Sequence, residues 1–185
     1  MIAADRVAAL LLAGGLSRRY GPDDKLVAAY AGRPLAVHAR DALAAFPNRL
    51  AVVRTGAGAL GALLAAGGLG LVENDAPEEG MAGSIRRGVA AATALDIDAL
   101  LICLADMPRI DAALLARMCA DYDPAIGLLV CAADGRRMPP ALIGRAHFGV
   151  LAQLTGDVGA RDLLAGAPLF AIDAAMAVDV DRPAG

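Results

Sequence analysis

The stretch VAALLLAGG, residues 7–15, joins seven consecutive apolar residues to a pair of glycines. An apolar run of strand length without polar alternation is typical of a parallel β-strand that is buried on both faces. Similar runs lie at Leu50–Arg54, Gly70–Glu73, Ala99–Ala105 and Ile126–Ala132. We therefore expect these runs to be neighbouring strands of one sheet.

Longer stretches of helical length separate the runs. The predicted helices are Pro34–Phe46, Ala57–Ala66, Ser84–Leu95 and Asp111–Tyr122, and we expect Ser84 and Asp111 to be N-caps. Strands that alternate with helices indicate an α/β fold with right-handed crossovers. The predicted fold class is α/β, a three-layer, open, mostly parallel sheet of Rossmann-like type.

The chain after Ala133 has a different pattern. We predict a turn or hairpin tip at Asp134–Pro140. Two short helices are predicted at Arg145–Leu154 and Ala160–Leu164, and two further strands at Ala167–Ile172 and Ala177–Val180. We interpret this part as an elaboration of the same sheet that closes over a site. Because 185 residues suit one domain, we expect residues 1–185 to form a single domain.

Composition excludes several classes of protein. Lys+Arg total 17 against 20 Asp+Glu, and aromatic residues are 3% with no Trp. A protein that binds the nucleic-acid backbone usually has a basic surplus or an aromatic stacking surface, so we expect no nucleic-acid partner. The hydrophobic fraction of 58% argues against disorder, although the 45 alanines inflate it.

The start of the chain and the cysteines predict a cytoplasmic protein with no membrane partner. The apolar run that begins at Val7 is too short for a membrane helix and lacks the basic flank of a signal peptide. Cys103, Cys119 and Cys131 form no C-x-x-C pair. We expect them to be buried free thiols in a reducing compartment rather than metal ligands or disulfides.

The glycine pair is the first candidate site. Glycines directly after a strand let backbone N–H groups approach a phosphate closely, and Arg18, Arg19 and Lys25 add positive charge beside Gly14 and Gly15. The loop matches neither a Walker A loop, a dinucleotide fingerprint nor a nucleophile elbow. The alternative is an ordinary glycine turn followed by solvated charges.

The second candidate is Asp106, which follows the apolar run Ala99–Ala105. A carboxylate directly after a buried strand needs a partner, and Mg²⁺ favours one or two carboxylates together with substrate phosphates. The alternative is that Asp106 caps the helix that begins near Asp111.

Two further segments have plainer alternatives. Glycines and Ser84 within Gly80–Gly88 suggest an anion-binding helix N-terminus, or only a glycine-rich helix entry with an N-cap. Asp179 and Asp181 are two apart, so on a strand they would face the same side. The alternative is that both are solvated edge charges.

Taken together, five segments in order resemble the MobA-like nucleotidyltransferase family, and most closely its molybdenum cofactor cytidylyltransferases. The family motif L-A-A-G-x-S-x-R-M-G followed by Lys-Leu is similar to Leu12–Gly21 and Lys25-Leu26. The other similar segments are Gly80–Gly88, the L-A-D-M-P of Leu104–Pro108, the G-D-x-G-A-R of Gly156–Arg161, and Asp179–Pro183. The chain departs from the usual pattern at Gly14, Tyr20, Met138-Pro139 and Arg182.

The resemblance implies the nucleotidyltransferase fold, also called the nucleotide-diphospho-sugar transferase fold, and a role in molybdenum cofactor biosynthesis. It implies transfer of CMP from CTP to the terminal phosphate of molybdopterin or molybdenum cofactor, with release of pyrophosphate. A client molybdoenzyme or its chaperone is a further implied partner. Mg²⁺, or else Mn²⁺, would be the cofactor.

The resemblance also assigns site residues, in three groups. The nucleotide would be bound by Leu12, Ala13, Gly14, Gly15, Ser17, Arg19, Lys25, Ser84 and Arg86, of which Ser84 and Arg86 could instead contact the acceptor. Arg19, Lys25 and Asp106 would be catalytic, and Asp157 and Arg161 would line the acceptor side. Asp106 and Asp181, or Asp179 in its place, would hold the metal.

The residues leave more than one function open. The Leu-Ala-Gly-Gly form at Gly14 is found in guanylyl relatives, so GTP is the rival nucleotide, and we expect Gly14→Ala to sharpen a preference for CTP. The two rival functions are those of a sugar-phosphate nucleotidyltransferase and of a non-catalytic carrier of nucleotide or molybdopterin. A hydride-transfer enzyme is disfavoured because the dinucleotide fingerprint is missing.

Overall fold

The computed structural model describes residues 1–15, 24–156 and 159–180. The strands in these residues are β1 (Val7–Leu12), β2 (Ala29–Tyr30), β3 (Arg33–Pro34), β4 (Asn48–Arg54), β5 (Gly70–Asn74), β6 (Ala99–Leu104), β7 (Leu128–Ala133), β8 (Arg136–Gly144) and β9 (Leu169–Ala171). Seven of these described strands form one sheet in the order β5-β4-β1-β6-β8-β7-β9, and β2 pairs with β3.

The sheet is mostly parallel, as predicted. Strand β1 runs parallel to β4 and β6, and β4 runs parallel to β5. Strand β8 runs antiparallel to β6 and β7, and β7 runs parallel to β9. All these strands except β8 therefore end at one edge of the sheet, the carboxyl edge.

Helices cover both faces of the sheet. They are α1 (Leu35–Ala42), α2 (Gly58–Ala66), α3 (Gly80–Thr93), α4 (Ala112–Asp121), α5 (Phe148–Leu151) and α6 (Arg161–Leu164). Side chains of α1, α2 and α4 pack with Leu11 and Leu101 in one core cluster. Side chains of α3 and α5 pack with Leu10 and Leu100 in a second cluster on the opposite face.

The two clusters explain why the strands show no polar alternation. Successive side chains of a strand point to opposite faces, and Leu10 and Leu11 are both 0% exposed. Burying a leucine side chain contributes about 1.5–3 kcal/mol, so neither face of β1 tolerates a polar residue.

One of the two predicted N-caps is confirmed and the other is wrong. The Asp111 side chain accepts a 2.8 Å hydrogen bond from the Leu114 amide at the start of α4. Helix α3 begins at Gly80, four residues before Ser84, because the 3₁₀ turn Pro77–Glu79 already turns the chain into the helix. Ser84 therefore lies inside α3 and caps nothing.

The region after Ala133 is partly as predicted. The hairpin tip is only Asp134-Gly135, both with positive φ, as in a two-residue type I′ turn, and Arg136–Pro140 already belong to β8. Ala177–Val180 is not a strand. A turn in which the Met176 amide bonds to Asp173 O redirects the chain, and the Val180 amide then bonds to Asp106 O outside the sheet.

The three cysteines are free and buried, as predicted. Burial raises the pKa of the Cys119 thiol to about 11 and that of the Cys131 thiol to about 12. None of the helices in the described part of the chain has the length and apolar character needed to span a bilayer.

Candidate active site

The glycine pair and Asp106 meet at the carboxyl edge because their strands are neighbours. The Ala13 amide donates to Val52 O on β4, and the Ala105 amide donates to Leu12 O on β1. These two bonds extend the sheet pairing to the last residues before Gly14 and Asp106. Leu12 and Ala13 are themselves buried, so any contact they make with a ligand is through the backbone.

Lys25 and Asp106 form an ion pair at the centre of this edge. Lys25 Nζ donates to Asp106 Oδ2 at 2.7 Å, and the two side chains are only 13% and 20% exposed. Lys25 Nζ also donates to Val180 O at 3.2 Å, and the Val180 amide donates to Asp106 O at 3.0 Å. Lys25 is thus mostly buried and bonded to the candidate catalytic carboxylate, which does not fit the alternative of a solvated charge.

Ser84 lies next to Gly14 rather than at a helix end. Asn74, which ends β5 and is 1% exposed, donates from Nδ2 to Ser84 Oγ at 3.1 Å and accepts the Ala76 amide at 3.1 Å. A Cβ on Gly14 would lie 3.4 Å from Ser84 Oγ. Ser84 and Asn74 therefore support Gly14 from the side of α3.

Arg86 bonds to two partners among the described residues. Its Nη1 donates to Leu154 O at 2.6 Å, and its Nη2 donates to Glu79 Oε2 at 2.7 Å. Arg87 donates to the same Glu79 oxygen at 2.7 Å and to Asp75 at 2.6 Å. These hydrogen bonds from Arg87 lower the pKa of Glu79 and of Asp75.

A second ion pair that sequence reasoning missed lies beside Lys25. Arg54, the last residue of β4, donates to Asp24 Oδ2 at 3.3 Å, and Asp24 Oδ1 accepts the Leu26 amide at 3.0 Å. Arg54 ends the predicted strand Leu50–Arg54, and Asn74 directly follows the predicted strand Gly70–Glu73. Applying the strand-end rule to β4 and β5, and not only to β1 and β6, would have found them.

The remaining predicted site residues are either outside the described part of the chain or exposed. Ser17, Arg19, Asp157 and Asp181 lie outside the described residues. Arg161 is exposed at the start of α6, and Asp179 is exposed beside Val180. The structure thus brings Gly14, Gly15, Lys25, Asp106 and Asp179 to one edge, with Ser84 behind it.

The donor set at this edge is compatible with a hard divalent cation. Within residues 1–15, 24–156 and 159–180 there is no group of three or more His, Cys, Asp or Glu side chains that could hold a metal. Mg²⁺ does not need one, because it keeps several waters and takes one or two carboxylates plus substrate phosphates. Asp106 has a second carboxylate oxygen besides the one bonded to Lys25.

The strand order reverses between β1 and β6, since the chain runs from β1 to β4 and β5 on one side and then returns to β6 on the other. A crevice at the carboxyl ends of such a reversal is where α/β nucleotide-binding proteins hold their ligands, and the glycine pair and Asp106 border this crevice. The MobA-like NTP transferase domain family matches residues 9–174, and the chain belongs to this family.

Solved structures agree with that assignment. Rv0371c from Mycobacterium tuberculosis H37Rv is 28% identical, with 98% of this chain and 95% of that chain covered and a TM-score of 0.81. A complex of Rv0371c with manganese is 25% identical over 91% and 89% of the chains, with a TM-score of 0.72. A nucleotidyl transferase from Methanothermobacter thermautotroptrophicus, Mth528, shares the fold at 20% identity, with 96% and 93% covered and a TM-score of 0.78. No curated protein sequence matches the chain significantly.

Proposed function

We propose that this nucleotidyltransferase-family protein transfers CMP from CTP to the terminal phosphate of molybdopterin or molybdenum cofactor and releases pyrophosphate. The proposal rests on the family assignment and on one observation, the Lys25–Asp106 ion pair at the sheet edge that carries Gly14 and Gly15. A cation next to a carboxylate at a nucleotide-binding edge suits a phosphate-transfer site. The seven-stranded sheet, which includes strands from Val7 to Ala171, supports a single domain over residues 1–185.

The reaction requires the protein to position the two substrates and to neutralise phosphate charge. An acceptor phosphate oxygen forms the new bond to the α-phosphorus, while the bond from that phosphorus to the pyrophosphate oxygen breaks. The acceptor is already ionised, so no protein nucleophile or strong general base is required. Backbone groups of residues 12–15 would hold the nucleotide, and Arg19 and Lys25 would neutralise the triphosphate and the leaving pyrophosphate.

Asp106, together with Asp181 or Asp179, would hold Mg²⁺ or Mn²⁺. When bound, such an ion neutralises phosphate charge and orients the phosphates for in-line attack. The manganese complex of Rv0371c supports a divalent cation in this family. Asp106 would have to share its carboxylate between the ion and Lys25, which a two-oxygen acceptor group can do.

The preference for CTP over GTP rests on the resemblance of Ser17, Gly80–Gly88 and Gly156–Arg161 to the cytidylyl branch. Gly14 is the argument for GTP, because a missing methyl group would leave room for a purine. However, a Cβ at Gly14 would contact Ser84 Oγ at 3.4 Å and Val52 O at 3.6 Å. That methyl group would face α3 and β4, so Gly14 is a weaker argument for GTP than the sequence suggests.

The test is pyrophosphate release by the whole chain, with Mg²⁺ or Mn²⁺, molybdopterin cofactor and each of CTP, GTP, ATP and UTP in turn. We expect turnover with CTP first, a dependence on the divalent cation, and no turnover for a folded Asp106→Ala variant. Greater efficiency with GTP would indicate a guanylyltransferase. Turnover only with a sugar phosphate would overturn the proposed acceptor. Binding without pyrophosphate release would overturn the proposed catalysis.

A further inference from the structure

The first two turns of α3 hold a segment that belongs to another part of the chain. This segment, Leu154–Gly156, lies between α5 and α6. Arg86 Nη1 donates to Leu154 O at 2.6 Å, and the Ala82 amide donates to Gly156 O at 3.4 Å. Both ends of the Leu154–Gly156 segment are therefore bonded to α3.

The contact continues on the far side of the segment. Gly159 has a φ of +57°, and a Cβ there would lie 2.8 Å from Met81 Sδ and 3.6 Å from Ile85 Cδ1. The backbone at Gly159 thus packs closely on α3, and a larger side chain there would require Met81 to move. Three separate contacts, at Leu154, Gly156 and Gly159, attach this stretch to the same helix.

These contacts lie at the carboxyl edge. Helix α3 follows the carboxyl end of β5, so its first turns are at that edge, and its Ser84 supports Gly14. Helix α5 packs on α3, whereas α6 packs on β7. Helix α5 therefore lies on the α3 side of the sheet edge, and α6 lies on the β7 side.

Two nitrogens of the Arg86 guanidinium already donate to protein acceptors. Its Nη2 donates to Glu79 Oε2 at 2.7 Å while Nη1 donates to Leu154 O, and the side chain is only 27% exposed. Arginine can bridge two acceptors in this way because its donors form a planar fork. To bind a phosphate with the same two nitrogens, Arg86 would have to release the segment or Glu79.

We infer that Arg86 is a positioning residue, which holds the Leu154–Gly156 segment against α3 and so shapes the acceptor side of the site. The inference rests on the proposed function. It differs from the role that the family resemblance implies for Arg86, which is direct contact with a ligand. The Leu154–Gly156 segment lies against the first turns of α3, whose Ser84 is next to Gly14. Arg86 would then affect acceptor binding without affecting nucleotide binding.

Arg86→Met is the decisive variant, and Arg87→Met is its matched control. Arg87 is the next residue of α3 and shares Glu79, but its hydrogen bonds go to Glu79, Gly83 and Asp75 rather than to the segment. A charge-assisted hydrogen bond is worth about ten- to hundred-fold in an equilibrium constant, so we expect Arg86→Met to raise the acceptor KM by about that factor. The KM for CTP should stay within about two-fold.

Hydrogen exchange gives a readout that does not need turnover. The Gln153 and Leu154 amides donate to Val150 O and Leu151 O, and we expect their exchange to accelerate in Arg86→Met but not in Arg87→Met. Arg86→Lys should restore only part of the affinity for the acceptor substrate. One ammonium cannot bridge Leu154 O and Glu79 as the guanidinium does.

The outcomes separate the two proposals. Unchanged exchange in Arg86→Met, or an equal acceleration in Arg87→Met, overturns the positioning role. Faster exchange with an equal rise in both KM values overturns the assignment to the acceptor side. If the wild-type protein does not turn over molybdopterin with any nucleotide, the proposed function fails and the acceptor role with it, while exchange still decides whether Arg86 holds the segment.

Discussion

Replacing Lys25 by Met should destabilise the fold as well as impair the proposed nucleotidyl transfer. Methionine keeps an unbranched side chain of similar length but removes the ammonium group. The variant loses the bonds from Nζ to Asp106 Oδ2 at 2.7 Å and to Val180 O at 3.2 Å. The Asp106 carboxylate, 20% exposed, is then left without its cationic partner.

The size of the loss follows from this partial burial. Hydrogen bonds to charged groups contribute about 1.5–3 kcal/mol, and breaking a fully buried ion pair costs about 3–5 kcal/mol. Because water still reaches part of both side chains, we expect the free energy of unfolding to fall by about 2 kcal/mol. In a domain of 150–250 residues this corresponds to a decrease in Tm of about 4–8 °C.

The assay is urea unfolding at pH 7 of the wild type, Lys25→Met, Asp106→Asn and the double variant. The double-mutant cycle isolates the pair, and we expect a coupling energy of about 1–2 kcal/mol. Arg33→Met is the control, because the Arg33–Asp41 pair has a similar distance of 2.9 Å but side chains that are 53% and 41% exposed. Exposed pairs contribute about 0–1 kcal/mol.

A loss of stability in Lys25→Met no greater than that in Arg33→Met, or a coupling energy near zero, would refute this prediction. Either result would mean that the Lys25–Asp106 pair is solvated in solution. A loss of turnover with unchanged stability would leave Lys25 with a catalytic role alone, as the sequence suggests.

Three further predictions concern glycine packing and the thiols. Gly88→Ala should destabilise the protein by about 1–3 kcal/mol in urea unfolding, because its Cβ would lie 2.3 Å from Leu10 Cδ2. The control Gly149→Ala should not be destabilised, because Gly149 is exposed and a Cβ there would have nothing within 4 Å. Equal effects would contradict close packing of α3 on β1. Gly14→Ala should fold normally and change the ratio of kcat/KM for CTP and GTP by less than about three-fold, and a larger change would show that position 14 faces the base. The native thiols should not react with a thiol reagent at pH 8 until the protein unfolds. Burial raises the pKa of Cys119 to about 11 and that of Cys131 to about 12, so the folded protein retains thiol protons that the unfolded chain releases. The free energy of unfolding should therefore fall as the pH rises from about 9 towards 12. Rapid labelling of the native protein would contradict burial of the thiols.

Much of the fold could be predicted from local sequence because burial on both faces leaves a local pattern. The run that begins at Val7 has no polar residue because Leu10 and Leu11 face opposite core clusters. Asp111 was recognisable as an N-cap because an N-cap acts on an amide three residues away. The error at Ser84 has the same origin, since the local pattern of glycine, serine and helix does not reveal that a 3₁₀ turn starts the helix earlier.

The mostly parallel α/β sheet and the polar residues at two of its strand ends could thus be predicted from local sequence, because both depend on neighbouring residues. Which of those polar residues have partners depends instead on the folded arrangement of distant segments. Lys25 and Asp106 are 81 positions apart, and Arg86 and Leu154 are 68 apart. Such contacts depend on which strands are adjacent and on where loops cross the carboxyl edge, and a short sequence window does not carry that information.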